Sequence, residues 1–481
     1  MKISSRPISS PNVILFILCL GIFSTAIDQT VIYGALKDIM FDVHMNVFDL
    51  DAASWIVTGY LLGYTAVLLL AGRLSDVYGP RHLFIAGNLV FMGASVFIAM
   101  VDNFNLMIVA RVLQAIGGGT TVPAGMAIIA DSFPGERRPI AFGIVGGSVE
   151  LGAAIGPSFG GAVTQFLGWR WIFWIDVIIG ALVIFMIYFM IANKPGARHK
   201  IDYLGGLFIA LALACLSLGL SQQLHRPNAE LYMAGLVIGS ALFFYLFMRR
   251  LLRAEEPLFR PSMFRNLVFS SANLTHLLIG GALIIALVVV PVMAYTPPVE
   301  LSDVGVGLRL GRLTFLIPLG AVIGGFLCRK FGYRFPTFLG LLMSSAGFFL
   351  MSRWTLEVAD PWLTVHLVVC GIGFGLVIAP IATAVLNSVS RPEWGTASAL
   401  ITAMRMTGMV IGLAFMNSLG MGHFHVMAGD ISAKEIEEEL PPLALDIFQD
   451  LFLAAAVVCL IAIGSAFWMK RQEGHLNMEN H

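Results

Sequence analysis

The chain has 481 residues, of which 58% are hydrophobic and 12% are charged, and its mean hydropathy is +0.86. Soluble domains carry about a quarter charged residues, so a soluble protein of this length could not bury so much apolar surface. The 29 basic and 29 acidic residues cancel, which excludes the basic field that recruits nucleic acid. The composition predicts an all-α polytopic membrane protein.

Apolar runs of roughly 20 residues, the length that crosses a bilayer as a helix, recur along the chain. We predict fourteen such spans. The first six lie near residues 12–34, 54–72, 82–101, 105–131, 139–166 and 171–192. A pair follows near residues 203–222 and 230–250. The last six lie near residues 267–295, 306–328, 335–353, 362–388, 395–421 and 445–469.

The distribution of basic residues predicts the orientation of the chain. An even number of spans places both termini on one side of the membrane. Twenty Lys and Arg residues flank the spans on that side, against seven on the other side. Because basic loops stay in the cytoplasm, we predict a multi-pass protein of the inner (plasma) membrane with both termini cytoplasmic. The first apolar run lacks a small-x-small cleavage site and is therefore taken as a span, not as a signal peptide.

The spans group as six, two and six. We predict an N-terminal six-helix bundle at 1–192, a linker with transmembrane helices 7 and 8 at 193–253, and a C-terminal six-helix bundle with a short cytoplasmic tail at 254–481. Two six-span halves are typical of transporters built from repeats. The sequence contains no nucleotide-binding G-x-x-x-x-G-K-[ST] pattern and no paired histidine or cysteine motif. We therefore predict no cofactor, no metal and no enzymatic activity.

Four segments carry a family resemblance. Residues 72–81 read GRLSDVYGPR, which resembles the G-x-L-[AS]-D-x-x-G-x-[RK] signature of the major facilitator superfamily. Residues 25–31, 111–119 and 152–161 read TAIDQTV, RVLQAIGGG and GAAIGPSFGG, which are similar to motifs of its fourteen-helix drug:proton antiporter family. The resemblance implies the major facilitator fold, with two six-helix bundles and two extra linker helices, and proton-coupled efflux of the multidrug exporter type.

Three charged residues within the spans are the predicted proton-coupling residues: Asp28, Glu150 and Arg111. A charge at the centre of a membrane is costly and normally faces a cavity or a partner. Asp28 resembles the first-span acid of the family, which takes part in proton or cation binding, whereas Glu150 is an additional acid. Arg111 keeps its proton and so acts on a neighbouring carboxylate. The choice between the two acids as the carrier of the coupling proton stays open. A purely structural role for either acid stays open as well.

A second set of residues is predicted to line a substrate cavity, because aromatic faces bind organic cations and polar groups orient a cargo. The set is Tyr33, Tyr60, Tyr64, Gln114, Asp176, His276 and Arg405. Asp176 stands where family members commonly have Asn, and its position near the outer end of its span predicts contact with water or with Arg170. Aromatic residues in membrane helices more often pack or face lipid, and that alternative stays open.

Two motifs have predicted mechanical roles. Glycines permit tight turns, and an acid and a base beside them can bond across helix ends. On that basis a conformational latch is predicted at Gly72, Asp76, Gly79, Arg81 and Asp131. Closely spaced small residues around a proline allow close helix contact and a bend. This helix-kink motif consists of Gly152, Gly156, Pro157, Gly160 and Gly161.

These observations predict a proton-coupled secondary active exporter of hydrophobic or amphiphilic compounds, such as drugs or cationic toxicants, that works by alternating access. Its partners are a small-molecule substrate, protons and the lipid bilayer, without nucleic acid, and it is expected to function as a monomer. One alternative is an exporter of a lipid or endogenous metabolite on the same fold. Another is a transport-dead membrane sensor or scaffold.

Overall fold

The structure is a computed structural model that describes residues 10–45, 50–133, 138–192, 201–220, 229–296, 299, 301–355, 358–390, 393–421 and 436–469. Helices and short turns make up these residues, and none of them lies in a strand. The first helices are α1 (Pro11–Ile27), a 3-10 helix (Val31–Gly34), α2 (Leu36–Asp42), α3 (Leu50–Ala53), α4 (Trp55–Tyr78), α5 (Pro80–Met100), α6 (Phe104–Ser132), α7 (Arg138–Leu167) and α8 (Arg170–Met190).

The remaining helices follow in the same order along the chain. They are α9 (Tyr203–Leu220), α10 (Ala229–Arg253), a 3-10 helix (Pro261–Arg265), α11 (Leu267–Tyr295), α12 (Asp303–Thr314), α13 (Leu316–Phe331), α14 (Arg334–Met351), α15 (Asp360–Asn387), α16 (Trp394–Met416), a π-helical turn (Asn417–Met421) and α17 (Ile436–Ala466). These bounds agree closely with the predicted spans.

Twelve membrane-crossing segments can be identified by length and composition among the described residues, with α12 and α13 forming one segment. The helix α1 and the apolar part of α4, Trp55–Leu68, are apolar but shorter. The prediction of an all-α polytopic membrane protein is therefore confirmed. The predicted number of fourteen spans is not supported by this criterion.

The turns between spans follow from local sequence. Gly79 has a φ of 86° and separates α4 from α5, and Gly332 has a φ of 74° and separates α13 from α14. Only glycine adopts this conformation without strain, and a chain that uses it can reverse direction immediately after a helix. Pro80 follows Gly79 at the first position of α5, where its missing N–H leaves no hydrogen bond unmade.

One packing pattern occurs twice among the described helices. In the first group, α6 packs against α4 and α5, α7 packs against α1, and α8 packs against α5 and α1. In the second group, α15 packs against α13 and α14, α16 packs against α11, and α17 packs against α14 and α11. Each helix of one group has a counterpart in the other, as expected for a membrane protein built from two repeats.

The glycines of the predicted helix-kink motif allow α7 to touch two neighbours. A Cβ atom at Gly152, Gly156 or Gly160 would lie within 3 Å of the chain between Phe23 and Val31. A Cβ atom at Gly161 would lie 2.2 Å from the carbonyl oxygen of Asp303, the first residue of α12. The motif therefore brings α7 into backbone contact both with the first span and with the second group of helices.

The pair α9 and α10 lies outside the two groups. The helix α9 packs against α4 and α16, and α10 packs mainly against α9. Most of α10 is exposed, as expected for a helix that faces lipid. Beyond α10, Glu256 comes within 3.8 Å of Arg73 at the end of α4, which ties the segment after the pair to the first group.

We call the membrane face at which α1 begins the terminal face and the other the opposite face. The two groups are in close contact towards the opposite face. There Ser158 donates to the Gly307 carbonyl at 2.8 Å and Asn417 donates to Ser54 at 2.7 Å. Towards the terminal face, added Cβ atoms at Gly143 and Gly147 of α7 would meet no atom within 4 Å. The molecule is thus closed at the opposite face.

Candidate functional site

A buried ion pair lies where the first span is interrupted. The helix α1 ends at Ile27, so the Asp28 carbonyl has no helical partner, and Arg111 Nη2 donates to it at 3.2 Å. Arg111 Nη1 also donates to Asp28 Oδ2 at 2.7 Å, and each side chain is only 1% exposed. Two of the predicted proton-coupling residues are thus directly bonded, and their role in coupling stays a prediction.

Neighbouring side chains hold the guanidinium of Arg111 in place. Gln114, one turn further along α6, accepts from Arg111 Nη1 at 2.6 Å and donates to Ser95 of α5 at 2.9 Å. The ring of Tyr60 lies 4.4 Å from the Arg111 guanidinium, and its hydroxyl donates to the Thr25 carbonyl at 3.2 Å. The cation therefore has a fixed position and cannot follow a moving cargo.

A second carboxyl group, that of Asp176 on α8, lies in the same cluster. Ser24 Oγ donates to Asp176 Oδ1 at 3.3 Å, and the residue is 5% exposed. The Asp176 and Asp28 carboxyl groups lie close enough to interact through their charges and through a hydrogen bond. The expected contact with water or Arg170 is wrong, because Arg170 pairs with Asp42 and Asp102 at the opposite face.

A central cavity lies between the two groups of helices. It encloses about 660 Å³ of empty space, counting the part that is open to solvent. Its walls are mainly apolar, with contributions from α11, α13, α15 and α16. The residues that line it are Gln29, Thr30, Leu61, Glu150, Ala153, Ala154, His276, Ile279, Leu283, Leu287, Thr314, Ile317, Phe374, Ile378, Arg405, Met406 and Met409.

An ion pair crosses this cavity. Arg405 Nη1 on α16 donates to Glu150 Oε1 on α7 at 2.9 Å, and the two side chains are 8% and 19% exposed. The pair joins the two groups of helices, and the charges of its members cancel. Gly143 and Gly147 precede Glu150 on the same face of α7 at helical spacing. An added Cβ at either glycine would meet no atom within 4 Å, so there is open space beside this face of α7 towards the terminal face.

One polar group on the cavity wall has an unused lone pair. The carbonyl of Ile401 lies 3.0 Å from His276 Nδ1 and can only accept, so Nδ1 carries the ring hydrogen. Within the described structure no partner is found for His276 Nε2. A neutral His276 therefore presents a hydrogen-bond acceptor in a wall that is mainly apolar.

The structure divides the residues that were predicted to line the cavity. His276 and Arg405 do line it. The others are buried in the first group of helices and are not among the residues that line this cavity: Tyr33, Tyr60, Tyr64, Gln114 and Asp176. Sequence reasoning did not select Gln29 and Thr30, although two polar residues beside Asp28 in an apolar span were a usable signal.

Arg81 of the predicted latch makes contacts in the structure, and the latch itself stays a prediction. Arg81 donates to the Tyr188 carbonyl at 2.6 Å and lies over the ring of Tyr188, so it joins α5 to the end of α8. Gly79 provides the turn, and no atom would lie within 4 Å of a Cβ at Gly72. Asp131 is exposed at the end of α6. The side chain of Asp76 lies outside the described side chains, so its bond to Arg81 stays a prediction.

A polar cluster joins the two groups at the opposite face. Tyr295 at the end of α11 donates to Asp303 at 2.9 Å, and Lys37 of α2 lies 4.9 Å from the ring centre of Tyr295. Asp38 lies beside Asp303. Burial raises the pKa of the Asp38 carboxyl, as does the charge of Asp303, and Lys37 only partly offsets them.

Chemically, these sites differ in what they can bind. The Asp28–Arg111–Asp176 cluster contains carboxyl groups that can gain or lose a proton, and its side chains are almost completely buried. The cavity has space and an apolar wall. Gln29 and Thr30 line the cavity and follow Asp28 directly in the chain, so the two sites share one stretch of backbone.

Comparison with known proteins gives one family match over most of the chain. The model of the Major Facilitator Superfamily matches residues 18–413. The Triacylglyceride transporter of Mycobacteroides abscessus is 31% identical over 462 residues, which cover 93% of this chain and 90% of that protein. Multidrug resistance protein 3 of Bacillus subtilis is 29% identical over 414 residues, which cover 85% of this chain and 80% of that protein.

A solved structure has the same fold. It is described as a bacterial homologue of the human lysosomal transporter Spinster in an inward-facing and unoccupied conformation. It superposes with a TM-score of 0.68 over 96% of this chain and 97% of that chain, at 19% identity. At this identity the similarity concerns the fold alone.

Proposed function

This chain belongs to the Major Facilitator Superfamily and is a membrane transporter, and we propose that it is a proton-coupled secondary active exporter of a hydrophobic or amphiphilic compound. The observation that carries the proposal is the Asp28–Arg111 pair, which is buried directly behind the cavity wall formed by Gln29 and Thr30. A change in the charge of Asp28 alters its attraction to a fixed cation and so moves the backbone that contacts the cargo.

The preferred cargo in this proposal is neutral and lipid-like. The cavity wall is mainly apolar, and Arg405 already neutralises Glu150, the one acid among the described residues that line it. A cationic compound would have to displace Arg405, whereas a neutral compound gains apolar contact without that cost. The triacylglyceride transporters among the relatives support this choice.

A second candidate is the export of cationic drugs, as first expected from the resemblance to drug:proton antiporters. The similarity to Multidrug resistance protein 3 favours it, as do the methionines Met406 and Met409 of the cavity wall, because methionine adapts to ligands of varied shape. A transport-dead sensor would share the fold but would move neither kind of compound.

We further propose that the chain crosses the membrane fourteen times, with both termini in the cytoplasm. The helix α1 and the 3-10 helix after Asp28 together extend from Pro11 to Gly34, and α4 has 24 residues, so both can span about 30 Å of hydrocarbon. The basic residues at the terminal face support this orientation. The proposed domains are residues 1–192, 193–253 and 254–481.

Alternating access follows from these elements. We propose that the cavity opens towards the terminal face, while the contacts of α7 with α12 join the two groups at the opposite face, and we assign this conformation to the inward-open state. The two groups of helices correspond to the two proposed six-helix bundles. Rocking of these bundles would separate Ser158 from Gly307 and open the opposite face. No residue of α9 or α10 in the described ranges lines the cavity, and we propose that this pair is not part of the cargo path.

The proposal can be tested with purified protein in liposomes whose lumen is more acidic than the bath. The probes are a fluorescent triacylglycerol and the cationic dye ethidium. We expect the gradient to drive the triacylglycerol into the lumen, a protonophore to abolish this movement, and Asp28→Asn to behave like the protonophore. The matched control Asp102→Asn removes a carboxyl from the opposite face and should transport normally.

Each contrary outcome identifies a different alternative. Movement of the triacylglycerol that is equal with and without the gradient would exclude proton coupling. Transport of ethidium alone would favour the drug exporter. If neither compound moves, the sensor is favoured.

A further inference from the structure

We propose that Asp176 is the second member of a carboxyl pair with Asp28 that holds a single proton between them, with Arg111 as the fixed positive charge. The inference rests on the proposed proton coupling and deepens it, because it assigns the proton to two residues. It also separates this cluster from Glu150, the other acid considered for coupling, whose partner is Arg405.

Each of the two carboxyl groups uses one of its oxygens for a hydrogen bond. Asp28 uses Oδ2 to accept from Arg111, and Asp176 uses Oδ1 to accept from Ser24. In the described part of the chain, Asp28 Oδ1 and Asp176 Oδ2 are buried and have no hydrogen-bond partner. Buried carboxylate oxygens are rarely left without one. A proton on either carboxyl would turn that group into a hydrogen-bond donor. The other carboxyl lies close enough to accept from it.

The charges of the cluster balance when the carboxyl pair holds one proton. Arg111 keeps its positive charge, so two ionised carboxylates would leave the cluster with one excess negative charge in a buried site. One proton on the pair makes the cluster neutral. The other titratable groups that face it are the phenols of Tyr60 and Tyr33, which are neutral at ordinary pH. Arg111 is the one basic side chain facing the pair among the described residues.

A proton fits this site better than a metal cation. Arg111 lies 2.7 Å from Asp28, so a cation bound between the carboxyl groups would be repelled by the guanidinium at short range. A proton adds only one charge and forms a covalent O–H bond on the oxygen that accepts it. The pair therefore has the chemistry of a proton carrier.

When the site is open to the cytoplasm, the O–H bond of the pair breaks, the proton passes to water, and its electron pair stays on the carboxylate oxygen. The cluster then has one negative charge in excess. When the site is open to the exterior, a proton from water forms the O–H bond again and neutralises the cluster.

Infrared spectroscopy of the purified full-length protein tests the pair directly. A shared proton gives the carbonyl stretch of a buried carboxylic acid, which disappears when the pair loses its proton. In Asp176→Asn, Asp28 is balanced by Arg111 alone and needs no proton, so we expect this band to be lost. The control Asp102→Asn should keep it, and thermal unfolding identifies variants that fail to fold.

Transport measurements complete the test. We expect Asp176→Asn to lower pH-driven export by about tenfold or more, which corresponds to about 1.4 kcal/mol, while exchange without a gradient continues. Retention of the band or of full pH-driven export in Asp176→Asn would overturn the inference. A wild-type protein that has the band but ignores a pH gradient would contradict the proposed coupling and leave the pair intact. A wild-type protein that shows proton-coupled export but lacks the band would contradict the carboxyl pair and leave the proposed coupling intact.

Discussion

Glu150 and Arg405 meet across the cavity, and their pairing has a measurable consequence. Loss of one partner leaves the other charge in a partly buried site. This costs about 3–5 kcal/mol for fully buried pairs, and we expect about 1–3 kcal/mol here because 19% of the Glu150 side chain is exposed. Glu150→Gln and Arg405→Gln should each lower the thermal unfolding temperature and the transport rate, whereas the double variant should recover part of both.

A double-mutant cycle measures this coupling. The control is the pair of Arg312 and Asp360, which is more exposed, lies at the opposite face and belongs to one bundle. Exposed pairs of this kind contribute about 0–1 kcal/mol, so its cycle should show little coupling. If the effects of Glu150→Gln and Arg405→Gln simply add, the two residues do not act as a pair. In Glu150→Gln the cavity becomes positive, so export of ethidium should fall more than export of triacylglycerol.

The charged residues could be predicted from the sequence, but their partners could not. Asp28 and Arg111 are conspicuous because a charge in an apolar run needs a reason. They are 83 residues apart on different helices, and no local pattern records that they touch. The position of Tyr60, whose ring lies against Arg111, could not be predicted for a related reason. An aromatic residue has the same sequence signature whether it faces a cavity or packs against a buried guanidinium.

Two glycines of α7 have very different surroundings. A Cβ at Gly156 would lie 2.1 Å from Thr30 Oγ1 and 2.7 Å from the Ile27 carbonyl, whereas a Cβ at Gly147 would meet nothing within 4 Å. We expect Gly156→Ala to cost about 1–3 kcal/mol, because overpacking forces α7 away from the first span. Gly147→Ala should be neutral or slightly stabilising, since alanine favours the helix.

Thermal unfolding followed by size-exclusion chromatography in detergent compares the two variants under identical conditions. The expected order of stability is Gly147→Ala at or above the wild type and Gly156→Ala below it. Equal stability of both variants would show that the contact between α7 and the first span tolerates an extra methyl group. That result would contradict the close approach seen in the structure.

Helix positions followed from the apolar runs, but interruptions within spans did not. The predicted span at 306–328 is broken at Phe315 into α12 and α13. Pro318 explains the break, because it has no N–H to donate to the Thr314 carbonyl and its ring crowds that group. The predicted span at 12–34 likewise breaks at Asp28. A hydropathy pattern reports total length in the bilayer and is insensitive to such local changes.

At the scale of the whole molecule, contact between the bundles at the opposite face should depend on pH. In the closed state, Asp38 of the first bundle lies beside Asp303 of the second, with Lys37, Asp42 and Tyr295 around them. Burial and the charge of Asp303 raise the pKa of Asp38, so this state binds a proton more tightly than a state with the bundles apart. Its stabilisation is present at low pH and is lost as the pH rises through the raised pKa.

We therefore expect acid on the exterior side to favour closure of this face and neutral or alkaline pH to favour its opening. This direction suits a proton antiporter, because an acidic exterior would load the carrier and promote its return to the inward-open state. Spin labels at the exposed residues Phe41 of α2 and Leu308 of α12, in a variant without the native cysteines, report the separation of the bundles. Their distance should increase as the pH rises.

Asp38→Asn keeps the size of the side chain and removes the charge, so the distance between the labels should remain short at every pH. Asp360→Asn is the matched control, because its carboxyl lies at the same face but pairs with Arg312 inside one bundle. It should retain the response of the wild type. An unchanged distance in the wild-type protein across the pH range, or a wild-type response in Asp38→Asn, would show that closure is governed by the helix contacts of α7 and α12 and not by this carboxyl pair.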